Sequence, residues 1–304
     1  MTHMDMSRRS AGARVLAITP ARNEADHLEK VAASMAAQDH RPACWVIVVN
    51  GSTDGTEAVA NRIAEHHRDW VVALSLEMTG QRSFGAKAHA VMHGVDAVGP
   101  ASYDLIACVD GDVVLPPDYF ATVAAAFDAD PQLGVCGGVY REPVGRNGRI
   151  GRHSAGHVPG PAQVLRAETF RAIGGYWPLE FGGLDAAACY RARQLGWTTL
   201  PLSELEFRHL RVMGTGGGVS RIRARYLKGR QDWDLGNAPS FEAVKLIRRM
   251  VSAPYIVGAS VRAWGFVRGA LTRSRGTDPS FVTYVQHEQR QRLRSEFDRV
   301  GLAR

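Results

Sequence analysis

The 304-residue sequence has no C-x-x-C pair, no uninterrupted apolar run of membrane-crossing length, and no zinc-finger, RRM-like or helix-turn-helix signature. The four cysteines, Cys44, Cys108, Cys136 and Cys189, stand far apart in apolar surroundings. They read as buried, reduced thiols, which suits the cytosol. Arg8-Arg9 suggests a twin-arginine signal, but Ser10-Ala11-Gly12-Ala13-Arg14 supplies no apolar h-region, so no export signal is expected. The composition of disorder is missing too: 45% of residues are hydrophobic and 22% charged, so the chain should fold. Its length suits one large α/β domain with appendages, or two domains.

The first two thirds hold no excess of positive charge. Residues 1–218 carry 20 Lys/Arg against 23 Asp/Glu, net −3, whereas 219–304 carry 17 against 7, net +10. A basic tail can serve nucleic acid, anionic lipid or an anionic ligand. Without a nucleic-acid-binding signature, the first of these is set aside.

What the chain does have is alternation. Short apolar runs predict strands over 15–19, 45–49, 71–76, 105–109 and 135–140. Segments of helical length lie over 24–37, 56–67, 83–98 and 117–127. Such alternation implies an α/β fold with a mostly parallel sheet covered on both faces, whose ligands bind at the carboxyl ends of the strands. Three of those ends are polar. Pro20-Ala21-Arg22-Asn23-Glu24 follows the first strand, and Asn23 is placed to cap the next helix. Asn50-Gly51-Ser52-Thr53-Asp54-Gly55-Thr56 follows the second, a glycine turn that offers backbone N–H groups to an anion.

Asp110-Gly111-Asp112 ends the fourth run and is the most informative element. Mg²⁺ and Mn²⁺ are hard cations that take few protein oxygens and fill their shells with water and phosphate, so two carboxylates can hold one against a diphosphate. Gly111 lets the backbone turn sharply there. Alone, the same tripeptide also reads as an ordinary turn with solvated acids.

Taken in order, these three segments resemble the nucleotide-binding half of family 2 glycosyltransferases with the GT-A fold. Gly160-Pro161-Ala162-Gln163-Val164-Leu165-Arg166, Phe170 to Tyr176, and Leu184-Asp185 followed by Arg191 to Trp197 are similar to its acceptor half. The resemblance spans residues 14–212, with 14–115 as the nucleotide half and 116–212 as the acceptor half. It leaves a disordered leader over 1–13, a glycine-rich lid or linker over 213–218, and a helical basic region over 219–304.

The resemblance implies that Pro20, Ala21, Arg22, Asn23 and Glu24 line the nucleoside pocket, that Asn50, Gly51 and Ser52 contact base or ribose, and that Lys87 approaches the nucleotide. It gives Asp110 a ribose or a metal-bound water, with Gly111 between, and gives Mn²⁺ or Mg²⁺ to Asp112 and His209. Arg211 is expected at the diphosphate, because guanidinium matches phosphate geometry. Inverting transfer needs a base within reach of the acceptor hydroxyl. Asp185 occupies the matching position, with Glu180 a competing carboxylate and an ordinary helix cap the plainer reading of Asp185. Where many relatives carry two acids before Gly-Ser, this chain has Val49-Asn50. Valine cannot accept a hydrogen bond from uracil, so a guanosine or thymidine donor stays open.

In the basic region, helical spacing over 253–271 puts Ile256, Val257, Trp264, Val267 and Leu271 on one face, and Gly258, Arg262, Gly265 and Gly269 on the other. A central arginine costs about 2.5–3.5 kcal/mol on insertion, too much for a comfortable span. Two readings remain: a structural helix docked through its glycine stripe, or an interfacial helix with its tryptophan face in lipid and Arg248, Arg249, Arg273 and Arg275 on anionic headgroups. Pro254 to Gly258 and Gln286 to Arg290 resemble the C-terminal region of some bacterial polysaccharide glycosyltransferases. That resemblance implies a lipid-linked acceptor and an enzyme at the inner face of the cell membrane. Gln231-Asp232-Trp233 is a poor echo of the Q-x-x-R-W element of processive polymerases, so one sugar per event is expected. Other readings are a soluble enzyme acting on a small natural product, a sugar-1-phosphate nucleotidyltransferase, whose glycine-rich phosphate loop is missing, and a non-catalytic nucleotide-sugar binder. Oligomeric state is not legible.

Overall fold

The computed structural model describes residues 12–77, 84–144, 148–151, 156–212, 220–250, 255–272 and 275–299. The expected lid over 213–218, most of the leader, and Arg273 lie outside them. The chain divides into two compact units, one of Met1–Arg82, Ala86–Pro178 and Leu184–Met213, the other of Gly214–Arg304 with Ser83–Gly85 and Leu179–Gly183.

The first unit is built on a nine-stranded sheet. Strands β1 (Val15–Ala21), β2 (Cys44–Asn50), β3 (Val71–Leu76) and β4 (Leu105–Val109) pair in parallel in the order β3-β2-β1-β4. Helices α1 (Ala25–Ala36), α2 (Thr56–His66) and α3 (Phe84–Val98) connect them. β1, β2 and β4 are apolar almost throughout because both faces are covered. Alternate residues feed two cores. Ala17, Ile47 and Ala107 pack with Leu28 and Met35 of α1, whereas Ile18, Val46 and Ile106 pack with Val91 and Val95 of α3.

Beyond β4 the sheet becomes mixed. After the two-residue β5 (Val113–Val114) and helix α4 (Tyr119–Ala129), β6 (Leu133–Glu142) pairs with the short β7 (Arg149–Ile150). β8 (Ala162–Arg166) lies antiparallel between β4 and β6, and is followed by α5 (Ala167–Ala172), α6 (Leu184–Gln194) and β9 (Thr198–His209). β9 runs parallel to β6 and antiparallel to β5, opposing His209 to Val113.

Gly138 sits where the β6–β9 register shifts. A Cβ built on it would lie 2.2 Å from the Leu205 carbonyl oxygen, a backbone atom that cannot swing aside. Overpacking of this kind costs about 1–3 kcal/mol or more. Gly138→Ala should therefore lower the melting temperature by roughly 5 °C or more, read by circular dichroism; an unchanged midpoint would show that β9 yields freely.

The second unit contains α7 (Arg221–Asp234), α8 (Pro239–Arg249), α9 (Tyr255–Thr272) and α10 (Pro279–Arg299). Glycines let α7 and α9 approach closely: added Cβ atoms would meet the Arg262 carbonyl at 2.0 Å from Gly229 and the Tyr226 carbonyl at 2.2 Å from Gly265. The glycine face of α9 is thus a packing face. Arg262 lies buried on it, donating to Asp232 and, at 3.1 Å, to Glu242. Lys245 reaches the same two carboxylates at 2.9 and 3.0 Å. Gln289 of α10 donates to Asn237 at 2.7 Å and accepts from the Ala238 N–H at 2.8 Å. Paired charges and satisfied amides make this interior tolerable, since a buried charge without partners would not be.

Candidate active site

The carboxyl ends of β1, β2 and β4 open at one edge, and the segments after them are tied together by side chains. Asn23 takes φ +57 and does not cap α1; its side-chain Oδ1 accepts the Thr53 N–H at 2.8 Å, and its backbone N–H donates to Ser52 Oγ at 3.2 Å. The left-handed backbone turns its side chain toward the neighbouring loop. Donors at the start of α1 are met from that loop instead: Asp54 accepts from Ala25 N–H at 3.2 Å, and Thr56 Oγ1 from Glu24 N–H at 2.8 Å. Pro20 and Ala21 extend β1, opposite Val48 and Val49. Arg22 is half-buried beside them and Gly51 holds φ +57 in the exposed turn. Val49 belongs to the core on the α1 side, so Asn50, buried and donating to the Ala86 carbonyl at 3.3 Å, supplies the polar side chain at the end of β2.

The D-x-D segment is held on both sides. Asp110 N–H donates to the Pro161 carbonyl at 2.9 Å, and Leu210 N–H donates to the Asp112 carbonyl at 2.8 Å. β5 and β9 therefore bring His209 beside Asp112, with Nε2 3.7 Å from Oδ1. Ligand atoms of Asp110, Asp112 and His209 all lie within 4.8 Å of one another. Close approach explains Gly111, since a Cβ there would be 3.0 Å from Glu24 Cγ.

Two cations border these acids. Lys87, in the first turn of α3, lies 2.5 Å from Asp110 Oδ1. Burial works against its charge, but Asp110, with Cys108 and Asp185 after it, keeps its pKa above the ordinary lysine value. Arg211 donates to Asp112 Oδ2 at 2.8 Å through Nε and to Glu24 through Nη2. Glu24, Asp110 and Asp112 thus face Lys87 and Arg211, three negative charges against two positive. A diphosphate would add at least two more, and a divalent cation is what such a set needs to accept it. The two carboxylates suit Mn²⁺ or Mg²⁺, and the imidazole favours Mn²⁺ of the two.

Asp185 is in the first turn of α6. Its Oδ2 accepts the Gly160 N–H at 3.2 Å and lies 3.4 Å from His157 Nε2. Gly160 leaves room for that carboxylate, since a Cβ there would be 2.9 Å from Asp185 Cβ. Burial works against charge on His157, but Asp185, and after it Cys189, push its pKa up to about 10. Gln163 of β8 donates to the Asp185 carbonyl at 3.3 Å and accepts from Tyr176 Oη at 2.8 Å. His157 was not legible as a site residue: it lies in a Gly/Pro-bounded segment outside every motif. Glu180, the competing acid, belongs to the second unit, where it helps raise the pKa of Asp234 after burial.

Comparison with known proteins assigns the family and the fold. The family model for glycosyl transferase family 2 matches residues 16–185, from β1 to the candidate base. The chain belongs to glycosyl transferase family 2. Poly-beta-1,6-N-acetyl-D-glucosamine synthase of Staphylococcus aureus is 28% identical over 116 residues, 38% of this chain and 26% of that one. The chain thus matches about a quarter of the length of its curated relatives.

Among solved structures, this family member is similar to a mannosyltransferase from Pyrobaculum calidifontis in complex with GDP-Man and Mn²⁺, with TM-score 0.57 and 22% identity, over 86% of this chain and 76% of that one. It also resembles Staphylococcus aureus TarS in complex with UDP-GlcNAc, with TM-score 0.51 and 16% identity, over 84% and 72% of the two chains. At these identities the likeness carries the fold, which is GT-A.

Proposed function

We propose that the protein is an inverting, metal-dependent glycosyltransferase that moves one sugar from a nucleoside diphosphate to a lipid-linked or glycan acceptor, at the cytoplasmic face of a membrane. The observation that carries this reading is the convergence of Asp110, Asp112 and His209 within 4.8 Å, flanked by Lys87 and Arg211, at the strand ends of a family 2 fold. Solved relatives in complex with GDP-Man and Mn²⁺, or with UDP-GlcNAc, support the donor class.

Asp112 and His209 would hold Mn²⁺ or Mg²⁺, with Asp110 at the ribose or at a metal-bound water. The cation supplies charge neutralisation for the departing diphosphate. Lys87 and Arg211 hold the phosphates, while Asn23, Asn50 and the Gly51-Ser52 turn orient the nucleoside. Asp185 takes the proton of the acceptor hydroxyl as that oxygen attacks the anomeric carbon from the side opposite the diphosphate. The Gly160 N–H and His157 hold the carboxylate in place. Among the described residues no helix is long and apolar enough to cross a membrane.

The test is a melting panel with UDP, GDP, dTDP and CDP, each with and without Mn²⁺, followed by an NDP-release assay. One nucleotide should stabilise the protein only with metal, by about 2.7 kcal/mol at a hundred times its Kd, or roughly 5–10 °C. No stabilisation by any nucleotide would sink the proposal, and pyrophosphate release would mark a nucleotidyltransferase.

A further inference from the structure

Helix α9 is built inside out. Its interior face consists of Gly258, Ala259, Arg262, Gly265, Phe266 and Gly269, with Arg262 only 1% exposed. Its exterior carries Ile256 at 64% exposure, Val257 at 59%, Trp264 at 56%, Val267 at 44% and Leu271 at 64%. Large apolar side chains gather toward water while a guanidinium is taken out of it. In a soluble helix the hydrophobic effect favours the reverse.

The helix cannot correct this by rolling. Gly229 and Gly265 hold the α7 and α9 backbones so close that added Cβ atoms would approach carbonyl oxygens to 2.0 and 2.2 Å. Arg262 is anchored to Asp232 of α7 and Glu242 of α8, and Trp233 occupies the surface of Gly269. Packing therefore fixes which face looks outward. The face runs from Ile256 to Leu271 over about 22 Å, with Val257 and the exposed Ser260 lying between Ile256 and Trp264.

Charge selects the occupant. α9 contains no acidic residue, and its one exposed charge is Arg268. At the C-terminal end of α8, exposed Ile247 and Met250 flank Arg248, which is exposed and ion-paired with Glu296, and the half-buried Arg249. Residues 219–304 as a whole carry net +10. A second copy laid on this face would bring together two regions of like net charge, with Arg268 and no carboxylate on either α9. An anionic bilayer surface complements both features, taking the apolar stripe to the level of its acyl boundary and the arginines at its headgroups.

We propose that the outward face of α9 is a docking surface for anionic phospholipid. This deepens the transferase reading, since a surface-bound enzyme would meet a lipid-linked acceptor, but it has its own readout. Full-length protein would be floated with phosphatidylcholine vesicles, and with vesicles also containing phosphatidylglycerol. Wild type should rise with the second kind. Trp264→Glu combined with Leu271→Glu should reduce the floated fraction at least about tenfold, at unchanged melting temperature and unchanged nucleotide stabilisation. Both side chains are exposed; if the double variant nevertheless melts early, Ile256→Glu in the first turn makes the same test.

Wild type left at the bottom with both vesicles would overturn the proposal. So would a charge-reversed variant that floats as well as wild type, or a wild-type dimer that the variant dissolves without any flotation. Nucleotide stabilisation without flotation removes the docking surface alone, and flotation without nucleotide stabilisation removes the transferase alone.

Discussion

Asp185→Asn should reduce sugar transfer at least about a thousandfold while leaving nucleoside diphosphate binding within a few-fold of wild type. The amide has nearly the shape of the carboxylate and can still accept the Gly160 N–H now bound at 3.2 Å. It cannot take a proton from an acceptor hydroxyl. Single-turnover transfer, paired with nucleotide-induced stabilisation, separates the two effects. Near-normal turnover would remove Asp185 from the chemistry and leave it a helix-start residue.

The same variant has a signature in stability. His157 has its pKa raised to about 10 in the folded protein, against the ordinary 6.5, with Asp185 the leading cause of the rise against burial. A raised pKa means that the fold binds this proton more tightly than the unfolded chain does, so stabilisation is full below about 6.5 and fades as pH climbs through about 10. Asp185→Asn should therefore melt below wild type at pH 7, and the gap should close toward pH 10. A gap independent of pH would mean that His157 does not sense the carboxylate.

Much of this site was legible because its strands are. Buried on both faces, β1, β2 and β4 are apolar at nearly every position, and the polar residues where each run stops stand at the open edge of the sheet. Where pairing depended on distant partners, sequence said less. β8 is a five-residue strand with Gln163 and Arg166 in it, defined by its neighbours β4 and β6 rather than by its own pattern. Asparagine favours a helix cap, which is what the sequence predicts for Asn23; its left-handed backbone, visible only in three dimensions, sends the side chain to Thr53.

The bounds of α10, within the helical region expected over 219–304, are not legible for a related reason. Phe281, Val285, Gln289 and Leu293 form its buried stripe at four-residue spacing, and the glutamine breaks the hydrophobic period. Its partners Asn237 and Ala238 explain why it can be there. His157 shows the limit most clearly, since its meaning depends on meeting Asp185 across 28 residues of chain.

Asp112→Asn should uncouple nucleotide from metal. Asp112 is buried and its carbonyl accepts the Leu210 N–H, so its backbone stays in place when the carboxylate is neutralised. Arg211 retains its bond to Glu24, and Lys87 retains Asp110. What changes is the charge balance: two acids then face two cations, and the set no longer requires a dication before it accepts a diphosphate. Loss of an outer-sphere partner alone costs 10–100-fold in metal affinity, so replacing a direct ligand should cost at least about a hundredfold. Nucleoside diphosphate should then stabilise the variant equally with and without Mn²⁺, whereas transfer falls at least about a thousandfold because the leaving diphosphate loses its counter-charge. A full Mn²⁺-dependent shift in Asp112→Asn would instead assign the cation to Asp110 and His209. Loss of all nucleotide binding would make the metal, rather than Lys87 and Arg211, the main anchor of the phosphates.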